Sequence, residues 1–168
     1  MTSVPPPEFS RPLAPDRIGA APYEMDVTAT EAECAALAAR LAIPALHALT
    51  CRFRLRRGEA GRILADAELY ARLTRDCVIT LEPFETEQRE TFRVVFVPAG
   101  SESEDDDPES DDEIPYVGGV IDLGEAAAEQ LALTLDPYPR KPGAEIPDDA
   151  QEPLGSPFAA LVRRRGGA

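Results

Sequence analysis

Residues 51–73, CRFRLRRGEAGRILADAELYARL, carry the clearest strand pattern in the chain. The first six letters alternate between apolar side chains and arginines, which is typical of a strand with one buried face. After the turn RGEAGR, the letters at 63–73 alternate again between apolar and mostly polar residues. Two alternating runs joined by a short glycine-containing turn predict an antiparallel hairpin. The predicted inward residues are Cys51, Phe53, Leu55, Ile63, Ala65, Ala67, Leu69, Ala71 and Leu73.

A strand and a helix are predicted before this hairpin. The alternating stretch YEMDV at 23–27 indicates a half-buried strand. Thr30 followed by Glu33 forms a capping-box pattern that opens a helix, and Pro44 ends this helix. The chain therefore enters the hairpin from a strand and a helix.

Two further strands and a second helix are predicted after the hairpin. CVITL at 77–81 and TFRVVFV at 91–97 are apolar enough for strands, so an antiparallel meander is expected. Asp122 with Glu125 indicates another capped helix start. The predicted fold class is α+β, with a meander sheet of about four to six strands, one or two packed helices and a disordered acidic loop.

The charge of the chain is concentrated in one segment. Residues 101–113, SESEDDDPESDDE, hold nine acidic side chains and no basic one, so the rest of the chain carries −5 of the formal −14. We expect this tract to be a solvated loop, because it has too few apolar residues to bury its backbone. The predicted organisation is a disordered 1–8, a single α+β domain at 9–143 interrupted by the acidic loop, and a mostly flexible tail at 144–168 with a short helix at 157–164.

The cysteines do not indicate an active site or a metal centre. A catalytic thiol needs a base, and the single histidine, His47, is expected in a loop between the first helix and a strand. Zinc needs about four ligands, whereas the position three residues after Cys77 is Thr80. We therefore predict a protein that is not an enzyme, with no catalytic residue, metal or cofactor.

The N-terminus does not look like a secretory signal and no apolar run is long enough for a membrane span, so we expect a cytoplasmic location.

Two features have both a binding and a purely structural interpretation. Arg52, Arg54 and Arg56 can contact phosphate, or they can pair with Asp66 and Glu68 on the adjacent strand. The acidic tract either keeps the protein soluble, or it binds a basic protein or competes with RNA for a positive surface.

Several segments together resemble the YceD family of large ribosomal RNA subunit accumulation proteins, most closely its alphaproteobacterial branch. The resemblance runs from about Glu8 to Arg165. Its most specific parts are DCVITLEPF at 76–84 and IDLGEAAAEQLALTLDPYPRKPG at 121–143. Many relatives carry a CxxC pair where this chain has Cys77 and Thr80, so a family-wide metal or redox pair is in doubt here. The residues that carry the motif are Cys77, Leu81, Glu82, Pro83, Asp122, Leu123, Glu125, Asp136, Pro137, Tyr138 and Pro139.

The resemblance implies a non-catalytic factor for accumulation or processing of large-subunit ribosomal RNA, acting through RNA or a basic ribosomal protein and not at a membrane. The expected contact residues are Arg52, Arg54, Arg56, Tyr138, Arg140 and Lys141, with the terminal arginines 163–165. Tyr138 would stack on an unpaired base. The alternative is an acidic chaperone or adaptor for a basic partner protein, without RNA contact.

Overall fold

The computed structural model describes residues 7–102 and 111–145. Most of the acidic tract, the tail with its predicted helix at 157–164, the arginines 163–165 and most of the N-terminal 1–8 lie outside these residues, so their predictions remain untested. The elements are β1 Pro12–Leu13, β2 Tyr23–Thr28, α1 Glu31–Arg40, β3 Ala45–Arg57, β4 Ile63–Asp76, β5 Pro83–Pro98, β6 Asp112–Tyr116, β7 Ile121–Asp122 and α2 Leu123–Thr134, with single 3-10 turns at Pro15–Arg17 and Glu59–Gly61.

The main sheet has the order β2-β3-β4-β5-β6, and β1 pairs with β7 in a second small sheet. The first four strands form an antiparallel meander, which confirms the predicted α+β class. Strand β6 differs from the prediction because it runs parallel to β5. Parallel neighbours need a crossover of a dozen residues or more, and the chain between Pro98 and Asp112 has that length. Residues 101–111 of the acidic tract thus belong to the connection between β5 and β6, and Asp112 and Glu113 begin β6.

The predicted β3–β4 hairpin is confirmed, and the structure supplies its register. Cys51 lies opposite Leu69, and Phe53 lies opposite Ala67. All nine residues that were predicted to point inward are buried. Helix α1 packs against β3 and helix α2 against β4, so one face of the sheet carries the core and the other faces solvent.

Helix α1 begins with the capping box that the sequence predicts. The Thr30 hydroxyl accepts a hydrogen bond from the Glu33 backbone N–H, and the Glu33 carboxylate accepts one from the Thr30 N–H at 2.7 Å. Arg11 also donates to both Glu33 carboxylate oxygens, at 2.7 and 2.9 Å. These bonds, Arg11 first, lower the pKa of Glu33 to about 2.

Asp122 caps helix α2 and also fixes the N-terminal segment. Its carboxylate accepts hydrogen bonds from the backbone N–H groups of Gly124, Glu125 and Arg11. The predicted capped start is confirmed, but the Glu125 side chain pairs with Arg40 at 2.7 Å, so it does not close a capping box. Helix α2 is thus tied to the segment before β1 and to helix α1.

The predicted strand at 77–81 is wrong. This segment is the loop between β4 and β5, and β5 begins at Pro83 rather than near Thr91. Val78 and Leu81, which we expected to pack with the sheet, are 43% and 79% exposed. The reason is local: the apolar residues at 77–81 do not alternate with polar ones, and the Glu82–Pro83 step starts a strand here instead of ending one.

Candidate nucleic-acid interface

The arginines of β3 lie on the solvent face of the sheet and are largely matched by acids. Arg52 Nε donates to Asp26 Oδ1 at 2.9 Å, and Arg56 Nη2 donates to Asp66 Oδ2 at 2.8 Å. Arg54 lies opposite Asp66 in the register and makes no ion pair within the described part of the chain. Exposed pairs of this kind add little stability, yet they reduce the positive potential that phosphate would meet.

The loop at 77–82 is built around the buried Cys77. Its backbone N–H donates to the Glu82 carbonyl at 2.9 Å, and its own carbonyl accepts the N–H of Leu81 at 2.8 Å. Leu81 adopts a left-handed conformation with φ of 59°. That conformation costs free energy for a residue with a Cβ, so the loop is held in shape by its hydrogen bonds.

The sulfur of Cys77 is part of this scaffold. It accepts the Thr80 N–H at 3.5 Å, and its side chain is 0% exposed. Hydrogen bonding by Thr80, followed by backbone groups of Lys141, Thr80 and Ile79, lowers the pKa of Cys77 to about 7. A thiol that solvent cannot reach, however acidic, is poorly placed to attack a substrate.

His47 does not provide a base for this thiol. It lies in β3, beside the irregularity between Leu46 and Ala48, and not in the loop that we expected. Its Nε2 atom is 2.8 Å from the Thr74 hydroxyl. No hydrogen bond joins it to Cys77 within the described residues.

The segment that follows helix α2 packs against this loop. Val78 donates its backbone N–H to the Pro139 carbonyl at 2.9 Å, and Lys141 Nζ lies 2.9 Å from Glu82 Oε2. Arg75 Nη2 donates to the Asp136 carbonyl at 2.7 Å. The two segments that are most distinctive in the sequence, 77–83 and 136–141, therefore lie side by side, and we call them together the motif corner.

The surface of the motif corner combines exposed apolar groups with cations. Tyr138 is 70% exposed and precedes Pro139, whose carbonyl accepts the N–H of the exposed Val78. Its backbone N–H is fixed by a hydrogen bond to the Asp136 carboxylate at 2.8 Å. Arg140 is exposed and makes no ion pair with a described residue. An exposed aromatic ring and an unpaired guanidinium two residues apart in the chain can stack on a base and contact its phosphate.

The structure separates the other predicted site residues from the motif corner. Asp122 caps the start of helix α2, and Leu123 is buried in the core. Glu125 pairs with Arg40 of helix α1. The β3 arginines lie next to Asp66 and Glu68 of β4. These two acids are about 25 to 35 Å along the strand from Asp76, which directly precedes the motif corner. Predicted contact residues on the sheet and at the corner thus form two separate sites.

The sequence did not predict that Val78 and Leu81 are exposed. It also did not predict the hydrogen bond from Arg75 to the Asp136 carbonyl. The available signal was the lack of alternation at 77–81, followed by a proline. No local signal pointed to Arg75, because its acceptor is a backbone carbonyl far along the chain.

Within residues 7–102 and 111–145, no group of three His, Cys, Asp or Glu side chains is placed to hold a metal ion. The same residues contain no helix that is both long and apolar enough to cross a membrane.

Comparison with known families gives one match. The family model described as large ribosomal RNA subunit accumulation protein YceD matches residues 65–160, which is more than half of the chain. The matched range contains the whole motif corner and begins after the three β3 arginines. No curated protein and no solved structure gives a significant match.

Proposed function

The chain belongs to the YceD family, and we propose that it supports accumulation or processing of large-subunit ribosomal RNA by binding, without catalysis. The family description implies a role in large-subunit ribosomal RNA accumulation. The finer proposal is a cytoplasmic assembly factor that contacts the RNA through the motif corner.

The observation that carries this proposal is the exposure of Tyr138 on a fixed support. Its backbone is held by Asp136, and the neighbouring Pro139 carbonyl is held by Val78. A ring presented in this way loses little conformational entropy on binding, and base stacking on an aromatic side chain contributes roughly 1–3 kcal/mol.

The charges at the motif corner are suited to a few specific contacts with RNA, because they do not form a broad basic patch. Lys141 is already paired with Glu82, whereas Arg140 has no described acid partner. With a chain charge of −14, long-range attraction does not bring the protein to RNA. Unpaired bases in single-stranded or bulged RNA fit this surface better than a regular duplex does.

The arginine face remains a second candidate contact. Arg52 and Arg56 would have to exchange Asp26 and Asp66 for phosphate, so only Arg54 can bind phosphate without breaking an ion pair. We therefore propose that the sheet face contributes less than the motif corner.

Co-purification of precursor large-subunit RNA with variants of the protein tests the proposal. Tyr138→Ala combined with Arg140→Ala should reduce recovered RNA by tenfold or more, because both contacts are lost. Val117→Ala is the matched control, since it removes another exposed apolar side chain outside the corner. Full RNA recovery by the double variant would show that the motif corner is not the RNA contact. Unchanged binding after Arg52, Arg54 and Arg56 are all replaced by Glu would exclude the sheet face.

The nine acids of residues 101–113 support a second candidate, a chaperone or adaptor for a basic partner protein. A ribosomal protein held by this tract would be released as salt rises. Deletion is a poor test because Asp112 and Glu113 belong to β6 and Glu113 pairs with Arg62. Replacement of the acids at 104–109 by serine keeps the crossover length; equal capture of the basic partner by this variant would reject the candidate.

A further inference from the structure

Strand β5 has an outer edge that is only partly covered. Strand β4 pairs with one side of β5 from Pro83 to Phe96, whereas β6 pairs with the other side only from Val94 onward. No described strand pairs with the outer edge of 83–93. This stretch therefore presents a row of backbone donors and acceptors, the kind of edge to which another strand can add.

The sequence of this edge is nearly symmetric about Gln88. Residues 84–92 read FETEQRETF. At equal distances before and after Gln88, Phe84 corresponds to Phe92 and Glu87 corresponds to Arg89. Gln88 is also the midpoint of the uncovered stretch 83–93.

We propose that two copies of this chain associate through antiparallel pairing of their β5 edges, with a two-fold axis at Gln88. In this register Glu87 lies opposite Arg89 of the second copy, and Phe84 lies opposite Phe92 of the second copy. Opposite charges and paired aromatics across strands are favourable. No two like charges lie directly opposite each other. This inference goes beyond the proposed function and does not depend on it.

The ends of the edge fit the same register. Pro83 lacks a backbone N–H and lies opposite Arg93 of the second copy, so pairing ends there. The next position, Val94, is already occupied by β6. The second copy therefore fills the uncovered stretch without displacing a strand that is present.

Registers shifted by one position are less favourable. An axis at Glu87 forms two Glu85–Arg89 pairs but places Glu87 opposite its own copy and Phe84 opposite Glu90. An axis at Arg89 forms two Glu85–Arg93 pairs but places two arginines together and Phe92 opposite Thr86. Like charges that face each other across strands are destabilising, so the charges along the edge select the axis at Gln88.

The charged pair at the centre is already ordered within one chain. Glu87 accepts a hydrogen bond from the Tyr70 hydroxyl at 3.0 Å and lies 3.2 Å from Arg89. The Arg89 guanidinium lies 4.5 Å from the centroid of the Tyr70 ring. Both groups therefore lie on the solvent face, where within one chain they contact each other and Tyr70 of β4, and the second copy offers each of them an oppositely charged partner across the free edge.

The other edge of the sheet is less suited to self-association. Strand β2 has Glu24 and Asp26 on its solvent face. A two-fold axis at Met25 would place Glu24 opposite Asp26 of the second copy. An axis at Asp26 would place this acid opposite its own copy. The β5 edge is thus the better surface for a second copy.

Cysteine crosslinking in the full chain tests the axis. Gln88→Cys places two thiols directly opposite, within the distance that a disulfide spans after small adjustment. Thr86→Cys is the matched control, because it lies on the same face but about 13 Å from its own copy. The native cysteines are buried and give little background. Rapid oxidation to a covalent dimer by the first variant alone is expected; equal crosslinking by both, or none, would overturn the proposal.

Sedimentation of charge-reversal variants tests the pairing without a crosslink. The wild-type chain should approach twice its mass of 18.1 kDa as concentration rises. Arg89→Glu should raise the dissociation constant about tenfold, since two favourable pairs become two repulsive ones by symmetry. Adding Glu87→Arg to this variant should restore association. A wild-type chain that stays monomeric up to its solubility limit, or a double variant that does not recover, would show that these charges only protect the edge.

Discussion

The backbone N–H of Val78 donates to the carbonyl oxygen of Pro139 at 2.9 Å, although the two residues lie in separate, distant segments of the chain. This bond joins the β4–β5 loop to the segment after helix α2. It explains why two distinctive stretches of sequence form one surface, with Tyr138 fixed at its exposed side.

The first prediction concerns the thiol of Cys77. Cys77→Ala should lower the free energy of unfolding by about 1 kcal/mol, because a buried group and its hydrogen bonds are lost. RNA recovery at a temperature where the variant is folded should be unchanged. Urea unfolding followed by circular dichroism measures the first quantity. A variant of unchanged stability that no longer supports ribosomal RNA accumulation would point instead to thiol chemistry.

The second prediction concerns the left-handed backbone of Leu81. Leu81→Gly should raise the free energy of unfolding by about 1 kcal/mol, because glycine adopts this conformation without a Cβ clash. The same variant loses an exposed apolar side chain of the motif corner. Increased stability together with weaker RNA capture would identify Leu81 as a contact residue. A loss of stability would mean that its side chain supports the loop.

The third prediction concerns acid sensitivity. The folded-state pKa of Glu33 is about 2, below its ordinary value of 4.5, so its ion pair with Arg11 stabilises the fold above pH 4.5. This contribution is lost as pH falls from 4.5 toward 2, because the carboxylate must be protonated. Glu33→Gln should therefore be less stable than wild type at pH 6 and lose less stability over that range. Glu31→Gln in the same helical turn is the control; identical pH profiles for all three proteins would contradict the assignment.

The fourth prediction concerns the close approach at Gly124. A Cβ at this position would lie 2.5 Å from the Phe9 carbonyl oxygen and 2.9 Å from the Arg11 nitrogen. Gly124→Ala should lower the free energy of unfolding by about 2 kcal/mol through this overpacking. Gly19→Ala, which meets no atom within 4 Å, should change it little. Thermal melting of both variants is sufficient; similar melting temperatures would show that the N-terminal segment moves aside freely.

Local patterns in the sequence predicted the central part of the fold. Strict alternation around Phe53 predicted the buried face of the β3–β4 hairpin, and Thr30 with Glu33 predicted the start of helix α1. These features depend on neighbours within a few residues. The parallel pairing of β6 with β5 depends on a crossover whose direction the local pattern does not encode.

The candidate site was predicted only in part. Tyr138, Arg140 and Lys141 were named from the sequence, but the packing of their segment against the Cys77 loop depends on bonds between distant parts of the chain, such as that from Val78 to Pro139. The error at 77–81 arose because hydrophobicity was interpreted as burial. Val78 and Leu81 are apolar and exposed, which is informative because their loop packs against the segment that carries the exposed Tyr138.

Crosslinking in cells, followed by sequencing of the RNA and identification of the crosslinked peptide, tests whether the motif corner binds ribosomal RNA. We expect crosslinks between large-subunit ribosomal RNA and the peptide that contains Tyr138 and Arg140, and we expect the double Ala variant to lose them. Crosslinks confined to the β3 arginines, or a protein that crosslinks to no ribosomal RNA while capturing a basic ribosomal protein, would contradict it.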